Sequence, residues 1–178
     1  KTIAEGYHWG GNIKTFGKYD PSPIELINIS KEINNGLNLV TFFGHAASNA
    51  TDIDIGYVTD PVLGYDNPGK YPVFVVNGCN VGDFFSNQAN FAEDWMLAAN
   101  KGGRAFMANS SFGFSSNLQK YTNLFYQVGL ADSVFIRKGL GDIQKEVAKR
   151  YLETMGSNIS SVTQVQQMVL LGDPAVTL

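Results

Sequence analysis

Two side chains suited to nucleophilic catalysis follow two apolar runs of the sequence. Cys79, the single cysteine of the 178-residue chain, comes just after the apolar run 72–76, and His45 comes just after the run 37–43. A thiolate is a strong nucleophile, and an imidazole is the group that most often takes and returns its proton. This arrangement predicts a cysteine–histidine pair, and cysteine peptidase chemistry is the use that fits it.

The runs that precede these residues have the character of buried strands. Residues 37–43, 73–76 and 104–108 are nearly continuously apolar, as strands covered on both faces are. Predicted helices alternate with them, which is typical of a three-layer α/β/α sandwich with a mostly parallel sheet. The carboxyl ends of parallel strands share one edge, where open α/β sheets bind their ligands. We therefore expect Cys79 and His45 to face each other at that edge, across a gap that could admit a scissile bond.

Capping residues predict where the helices begin and end. Ser22-Pro23-Ile24-Glu25 has the form of a capping box and predicts a first helix that ends at Gly36. Asp142 and Gly156 would begin and end a helix whose apolar residues recur every four positions. The other predicted elements are helices over 91–101 and 118–128, a short final strand over 168–171, and a long polar connection over 46–71.

Composition excludes several classes of partner. The net charge of −3 comes without a cluster of Lys or Arg, so nucleic acid and anionic membranes are not expected partners. No apolar run approaches the ~18 residues that would cross a bilayer. A single cysteine excludes an internal disulfide and a Cys-based zinc site. The chain begins at Lys1 with neither an initiator Met nor a signal peptide, and we expect it to be part of a longer protein.

A set of short motifs resembles one peptidase family. Gly44-His45 and Asn77-Gly78-Cys79-Asn80 each follow a predicted strand, and Asp83-Phe84 comes next. Phe91-Ala92-Glu93 opens the following helix, and Leu171-Gly172-Asp173-Pro174 lies near the end of the chain. Together these motifs resemble the gingipain-type cysteine peptidases, peptidase family C25 of the caspase-like clan. The sequence looks most similar to the sortase-like members of that family, which are tied to the type IX secretion system of Bacteroidetes-type bacteria.

The resemblance implies a caspase-like fold in which Cys79 is the nucleophile and His45 transfers protons. It implies that residues 21–178 are the caspase-like catalytic subdomain and that 1–20 are an irregular segment ending a preceding subdomain. The implied location is outside the cell or in its envelope. Protein or peptide substrates, and other components of the type IX secretion system, are the implied partners, and no cofactor is required.

One position departs from the family pattern. Relatives commonly have His-Gly, whose glycine N–H contributes to the oxyanion hole, whereas Ala46 follows His45 here. An alanine offers the same N–H when its φ is negative, so the N–H groups of Cys79 and Ala46 are the expected oxyanion donors. If the site needed a positive φ at Ala46, the strain would cost about 1–3 kcal/mol. We expect replacement of Ala46 by glycine to be harmless or slightly beneficial.

Several residues have a structural interpretation beside the functional one. A lone cysteine most often behaves as a small buried hydrophobe, and a lone loop histidine most often only forms hydrogen bonds. Asp52 and Asp54 have the spacing of calcium ligands, but their alternation with Ile is also typical of a half-exposed short strand. The candidate substrate-pocket residues are Gly78, Asn80, Phe112 and Phe114. The two phenylalanines would equally well pack inside the protein.

Three functions are compatible with these residues. The first is a cysteine endopeptidase, and the second is a transpeptidase or sortase, in which an amine replaces water at the thioester. The third is an inactive caspase-like scaffold or binding domain of a secretion complex. The first two need the same Cys79 and His45, so their products must be compared to separate them, whereas a thiol-reactive activity probe separates both from the third.

Overall fold

The computed structural model describes residues 2–86 and 90–178, which form a mixed α/β structure. Its helices are α1 (Ser30–Asn35), α2 (Phe91–Leu97), α3 (Ser115–Ala131), α4 (Leu140–Met155) and α5 (Ile159–Gln167). Its strands are β1 (Glu25–Leu26), β2 (Leu39–Phe43), β3 (Ala46–Ala47), β4 (Ala50–Thr51), β5 (Ile53–Asp54), β6 (Val73–Asn77), β7 (Ala105–Asn109) and β8 (Met168–Gly172).

The chain forms two compact units. The sheet unit contains Gly17–Phe112 and Gln167–Asp173, and it holds all eight strands with α1 and α2. The helical unit contains Lys1–Phe16, Gly113–Gln166 and Pro174–Leu178. The predicted division at residue 20 stays a prediction. None of the helices among residues 2–86 and 90–178 has the length and apolar character needed to cross a membrane.

A four-stranded sheet with the order β2-β6-β7-β8 forms the centre of the sheet unit. β2, β6 and β7 run parallel, as predicted, and β8 runs antiparallel to β7. The register pairs Phe43 with Asn77, the last residues of β2 and β6. The segments that follow these two strands, which contain His45 and Cys79, therefore leave from the same edge of the sheet.

The prediction that all three parallel strands are covered on both faces, as central strands of the sheet are, needs a correction for β2. β6 and β7 are buried at every position, whereas in the four-stranded sheet β2 is an edge strand whose residues are half-buried or exposed. Its apolar side chains Val40 and Phe42 still pack against the core from one face. An apolar run predicts a strand well, but it does not by itself determine whether that strand has one neighbour or two.

An aromatic cluster fixes α2 and the preceding loops against the sheet. The Phe74 ring on β6 stacks on Phe106 of β7 at 5.2 Å between centroids, and Trp95 of α2 lies 5.0 Å from Phe74. Trp95 is fully buried, and its indole N–H donates to the Gly56 carbonyl over 3.0 Å. Burial of apolar surface contributes about 25 cal/mol per Å². Burial of such large rings, with the indole N–H hydrogen-bonded, therefore stabilises this face of the unit by several kcal/mol.

The predicted first helix begins later than the capping box suggested. Glu25 lies in β1, and its carboxylate accepts the N–H groups of Tyr19 and Asp20 at 2.6 and 2.8 Å. These bonds stabilise an extended turn, so α1 begins only at Ser30. Gly36, with φ of 99°, ends α1 as predicted.

Other helix boundaries also differ from the predicted ones by a few residues. The N-cap of α4 is Gly139 rather than Asp142, which lies inside the first turn, while Gly156 ends the helix as predicted. α2 ends at Leu97, before the predicted end at residue 101. Sequence periodicity missed α5 and the short strands β1, β3 and β4, since two-residue strands and one short polar helix carry little periodic signal.

In the helical unit, α3 and α4 pack through buried aromatic rings. Tyr121 and Tyr151 are fully buried, with 5.8 Å between their ring centroids. On α4, Arg150 donates to Asp132 at 2.7 Å and to Glu146 at 2.8 Å. This arrangement lowers the pKa of Asp132, chiefly through the hydrogen bond from Arg150.

Candidate active site

The segments that contain Cys79 and His45 meet at the carboxyl edge of the parallel strands. Gly44, directly after β2, donates its N–H to the carbonyl of Asn77, the last residue of β6, over 3.1 Å. This bond continues the parallel ladder by one residue beyond the end of β2. It fixes the main chain before His45 beside the main chain before Cys79.

Gly78 lies against Ala46 where the two segments meet. A Cβ placed on Gly78 would lie 2.4 Å from the Ala46 Cβ and 3.3 Å from the Gly44 carbonyl oxygen. The residues on both sides of His45 therefore touch the residue before Cys79. Since the first of these distances is far below any real carbon–carbon contact, only glycine fits at position 78 while position 46 carries a methyl group.

Gly78→Ala is expected to lower the free energy of unfolding by about 1–3 kcal/mol, because the new methyl group forces the two segments apart. Adding Ala46→Gly removes the methyl group that it meets. The double variant should therefore lose about 1–2 kcal/mol less than the sum of the two single variants. Urea denaturation of the four proteins measures this coupling.

A matched control for this cycle is Gly17→Ala, at which the new Cβ would meet only the Tyr19 ring at 3.9 Å. This variant should unfold close to the wild type. Strict additivity of Gly78→Ala and Ala46→Gly would contradict the packing of the His45 segment on the Cys79 segment.

The loop after Cys79 lies over the end of β7. Asn80 donates its N–H to the Ser111 carbonyl over 3.0 Å, and Gly82 donates to the Asn109 carbonyl over 3.0 Å. Asn80 has φ of 61°, in the left-handed region that asparagine tolerates better than most residues. This turn after the cysteine was missed from the sequence, although an asparagine directly after Gly-Cys is a signal for it.

The same loop is joined to the start of α2. Asn90 is the N-cap of α2 and accepts the Ala92 N–H over 2.8 Å. Its amide also donates to the Asp83 carbonyl over 3.1 Å. The buried Asn90 side chain therefore joins the start of α2 to the segment that follows Cys79.

His45 begins a tight hairpin made by β3 and β4. The Asp52 N–H donates to the His45 carbonyl over 2.8 Å, and the register pairs Ala46 with Thr51. Outside the hairpin, Phe91 donates its N–H to the Ser48 carbonyl over 2.9 Å. These bonds fix the main chain of His45, while its side chain is exposed.

Tyr57 anchors the turn of this hairpin. Its hydroxyl donates to the Asn49 carbonyl over 3.1 Å. Burial raises the pKa of Tyr57, with smaller contributions from the carboxylates of Asp54 and Asp94. The phenol therefore stays protonated, and keeps this hydrogen bond, throughout the neutral pH range.

The pattern of the hairpin determines where the N–H of Ala46 points. The Asp52 N–H bonds the His45 carbonyl, so the next pair, 46 and 51, is of the non-bonded type. The Thr51 N–H accordingly turns away from Ala46 and donates to the Asp54 carboxylate over 2.7 Å. By the same alternation the Ala46 N–H points away from the hairpin, which suits the predicted oxyanion donor.

The calcium hypothesis for Asp52 and Asp54 stays a prediction. Asp54 is buried, and its two carboxyl oxygens accept main-chain N–H groups from Thr51 and Gly56. These bonds explain the need for an aspartate in this turn without a cation. Within residues 2–86 and 90–178 no group of three or more His, Cys, Asp or Glu residues has an arrangement that could hold a metal ion.

The four candidate pocket residues fall in different environments. Gly78 is buried against Ala46, and half-buried Asn80 is tied to the carbonyl of Ser111, next to Phe112. Phe112 is exposed at the carboxyl edge of the sheet unit, and Phe114 is the exposed N-cap residue of α3 in the helical unit. The structure thus brings Gly78, Asn80 and the start of the Phe112 loop together, and a pocket role for all four stays a prediction.

Exposed aromatic side chains flank the site within the sheet unit. Phe43 precedes Gly44, Phe85 follows the Cys79 loop, and Phe112 follows β7; they are 46%, 80% and 77% exposed. Cys79 itself is half-buried. A half-buried cysteine and an exposed histidine thus follow neighbouring strands at one edge of the sheet, with apolar rings on the same edge, and a peptide substrate could approach this edge.

Comparison with known proteins identifies what this chain is similar to. A profile of peptidase family C25 matches residues 3–178. The complex of the pro- and mature domains of Porphyromonas gingivalis RgpB matches 88% of the chain with a TM-score of 0.75 at 20% identity. The crystal structure of the Arg-specific cysteine proteinase gingipain R (RgpB) matches 90% of the chain, also with a TM-score of 0.75 at 20% identity.

A third structure, described as a protease, matches 83% of the chain with a TM-score of 0.62 at 16% identity. No curated protein sequence matches. The chain spans 37% of the length of the two RgpB chains. These likenesses confirm the predicted caspase-like α/β fold with its mostly parallel sheet.

Proposed function

Because the chain belongs to peptidase family C25, we propose that it carries the catalytic centre of a cysteine peptidase. One observation supports this proposal more than any other. The His45 segment packs directly on the Cys79 segment, through Ala46 and Gly44 against Gly78. A nucleophile and a base that follow adjacent parallel strands, with their main chains in contact, are the arrangement that a Cys–His dyad requires.

In the proposed reaction, His45 accepts the proton of the Cys79 thiol, and the sulfur attacks the carbonyl carbon of the scissile peptide bond. The resulting oxyanion accepts hydrogen bonds from the N–H groups of Cys79 and Ala46. Each bond stabilises the transition state by about 3 kcal/mol. The protonated His45 then gives its proton to the leaving amine as the C–N bond breaks. A thioester remains on Cys79.

The second half of the reaction decides between two products. In a peptidase, water attacks the thioester carbon, His45 takes a proton from that water, and the thiolate leaves and is reprotonated. In a transpeptidase, an amine attacks in its place and a new amide bond forms. We propose that the substrates are proteins or peptides at the cell envelope or outside the cell, where the enzyme would act as a peptidase or as a type IX secretion sortase.

Product analysis tests the function and separates its two forms. The purified protein is incubated with a mixture of denatured proteins, with and without a primary amine such as glycinamide, and the products are sequenced by mass spectrometry. New carboxyl termini indicate a peptidase, and glycinamide-capped termini indicate a transpeptidase. If neither product forms, the chain acts as a caspase-like scaffold and the enzymatic proposal is wrong.

A further inference from the structure

The outer side of β2 carries main-chain groups that no strand of the described chain pairs with. The Gly44 N–H bonds the Asn77 carbonyl, so residue 44 faces β6, as do the other even-numbered positions of this stretch. Because the hydrogen-bonding direction alternates along a strand, Leu39, Thr41 and Phe43 point their N–H and C=O groups away from the sheet. In the described part of the chain these groups have no hydrogen-bond partner.

This edge lacks the features that usually prevent two sheet edges from pairing. Residues 37–44 contain no charged side chain and no proline. Thr41 and Phe43 are exposed, and Leu39 is half-buried. An exposed, apolar and uncharged edge strand is a template for pairing with another extended segment. Two chains that each carry a net charge of −3 can also meet here without bringing like charges into contact.

The side chains of β2 match a second copy of the same strand that runs antiparallel to the first. With the twofold axis at Thr41, this residue lies opposite Thr41 of the second copy, and their main chains exchange two hydrogen bonds. Leu39 then lies opposite Phe43 of the second copy. Val40 lies opposite Phe42 in the same way. Threonine with threonine, and an aromatic with a β-branched residue, are pairs that stabilise antiparallel sheets, so the strand is complementary to itself.

We propose that the outer edge of β2 is a dimerisation surface, at which two copies of this chain join their four-stranded sheets into one continuous sheet. The edge is five residues long, about 17 Å, which places it at the small end of specific interfaces. The dimer should therefore be weak, with a Kd in the micromolar range. This inference does not depend on the proposed function, because it concerns only the edge of the sheet.

Sedimentation equilibrium of the purified chain, from low micromolar to millimolar concentration, should show a reversible monomer–dimer transition. Thr41→Lys places two ammonium groups opposite each other and should weaken the dimer by at least about 10-fold. Thr41→Glu should do the same, whereas an equal mixture of the two variants should form a heterodimer, since opposite charges then face each other. The matched control is Val62→Lys, at a position that is 87% exposed in the same unit and outside β2, which should leave dimerisation unchanged.

Disulfide cross-linking tests the register of the pairing in a Cys79→Ala background. The two copies of Thr41 would have their Cα atoms about 5.5 Å apart, within the range that a disulfide bridges, so Thr41→Cys should form a covalent dimer under mild oxidation. Phe43→Cys is the control on the same edge. Since Phe43 lies opposite Leu39, the two copies of residue 43 are about 14 Å apart and should not be bridged.

A chain that stays monomeric up to millimolar concentration would overturn the proposal. A dimer that Thr41→Lys leaves unchanged, or equal bridging of Thr41→Cys and Phe43→Cys, would also overturn it, because the chains would then associate through another face or register. If an added extended peptide instead protects the β2 amides of a monomeric chain from hydrogen exchange, the edge binds a peptide strand and the dimer proposal is wrong.

Discussion

Replacement of Cys79 by alanine is expected to lower peptide cleavage by about 10⁴- to 10⁶-fold and to leave the fold intact. Without the sulfur no thioester forms, and only the oxyanion donors and substrate binding remain. The side chain is half-buried at the end of a strand, so its loss removes little core volume. The melting temperature should change by only a few degrees, which corresponds to about 1 kcal/mol.

The control for this prediction is Cys79→Ser, which keeps a hydroxyl of similar shape but a much weaker nucleophile at neutral pH. It should be nearly as inactive as the alanine variant. Steady-state cleavage of a fluorogenic peptide and circular dichroism of the same samples provide both readouts. Activity within 10-fold of the wild type in a folded Cys79→Ala protein would mean that the nucleophile lies elsewhere.

Replacement of His45 by alanine should be almost as damaging, with a loss of about 10³- to 10⁵-fold in kcat. The imidazole takes the thiol proton and returns it to the leaving amine, so both halves of the reaction depend on it. The side chain is exposed, and its main chain is held by Asp52 and by the hairpin. The fold should therefore tolerate the change.

Combining the two substitutions distinguishes a catalytic dyad from two independent effects. The Cys79→Ala, His45→Ala double variant should be no less active than Cys79→Ala alone, because the residues act as a unit. His8→Ala, at the other histidine, which is also exposed, should keep wild-type activity. If His45→Ala and His8→Ala have the same small effect, His45 is not the catalytic base.

The parallel core was accessible from the sequence because its signal is strong and local. The runs over β6 and β7 are continuously apolar and lead into small residues, so both the strands and their shared edge could be predicted. The edge position of β2 could not, since its residues alone do not show how many neighbours it has. The first helix was placed too early because Glu25, which completes the capping box, instead accepts the N–H groups of Tyr19 and Asp20.

The sequence could predict which residues belong to the candidate site, but not the contacts that hold them together. Cys79 and His45 stood out through their chemistry and their positions after strands. The packing of Gly78 on Ala46 depends on the register between β2 and β6, which no local pattern encodes. The place of Asp52 opposite His45 was not predictable either. It follows from the short hairpin of β3 and β4, which was predicted only as part of a long polar connection.

The central claim is that Cys79 is a nucleophile activated within a folded site. The most direct test uses a peptidyl acyloxymethyl ketone, which reacts by displacement of its carboxylate when a positioned thiolate attacks. Peptide mapping by mass spectrometry should find one adduct per chain, on Cys79, and the His45→Ala variant should label much more slowly. Iodoacetamide, which needs only an accessible thiol, should label both proteins. A folded wild-type protein that reacts with iodoacetamide at Cys79, but not with the peptidyl probe across a panel of peptide sequences, would contradict the claim.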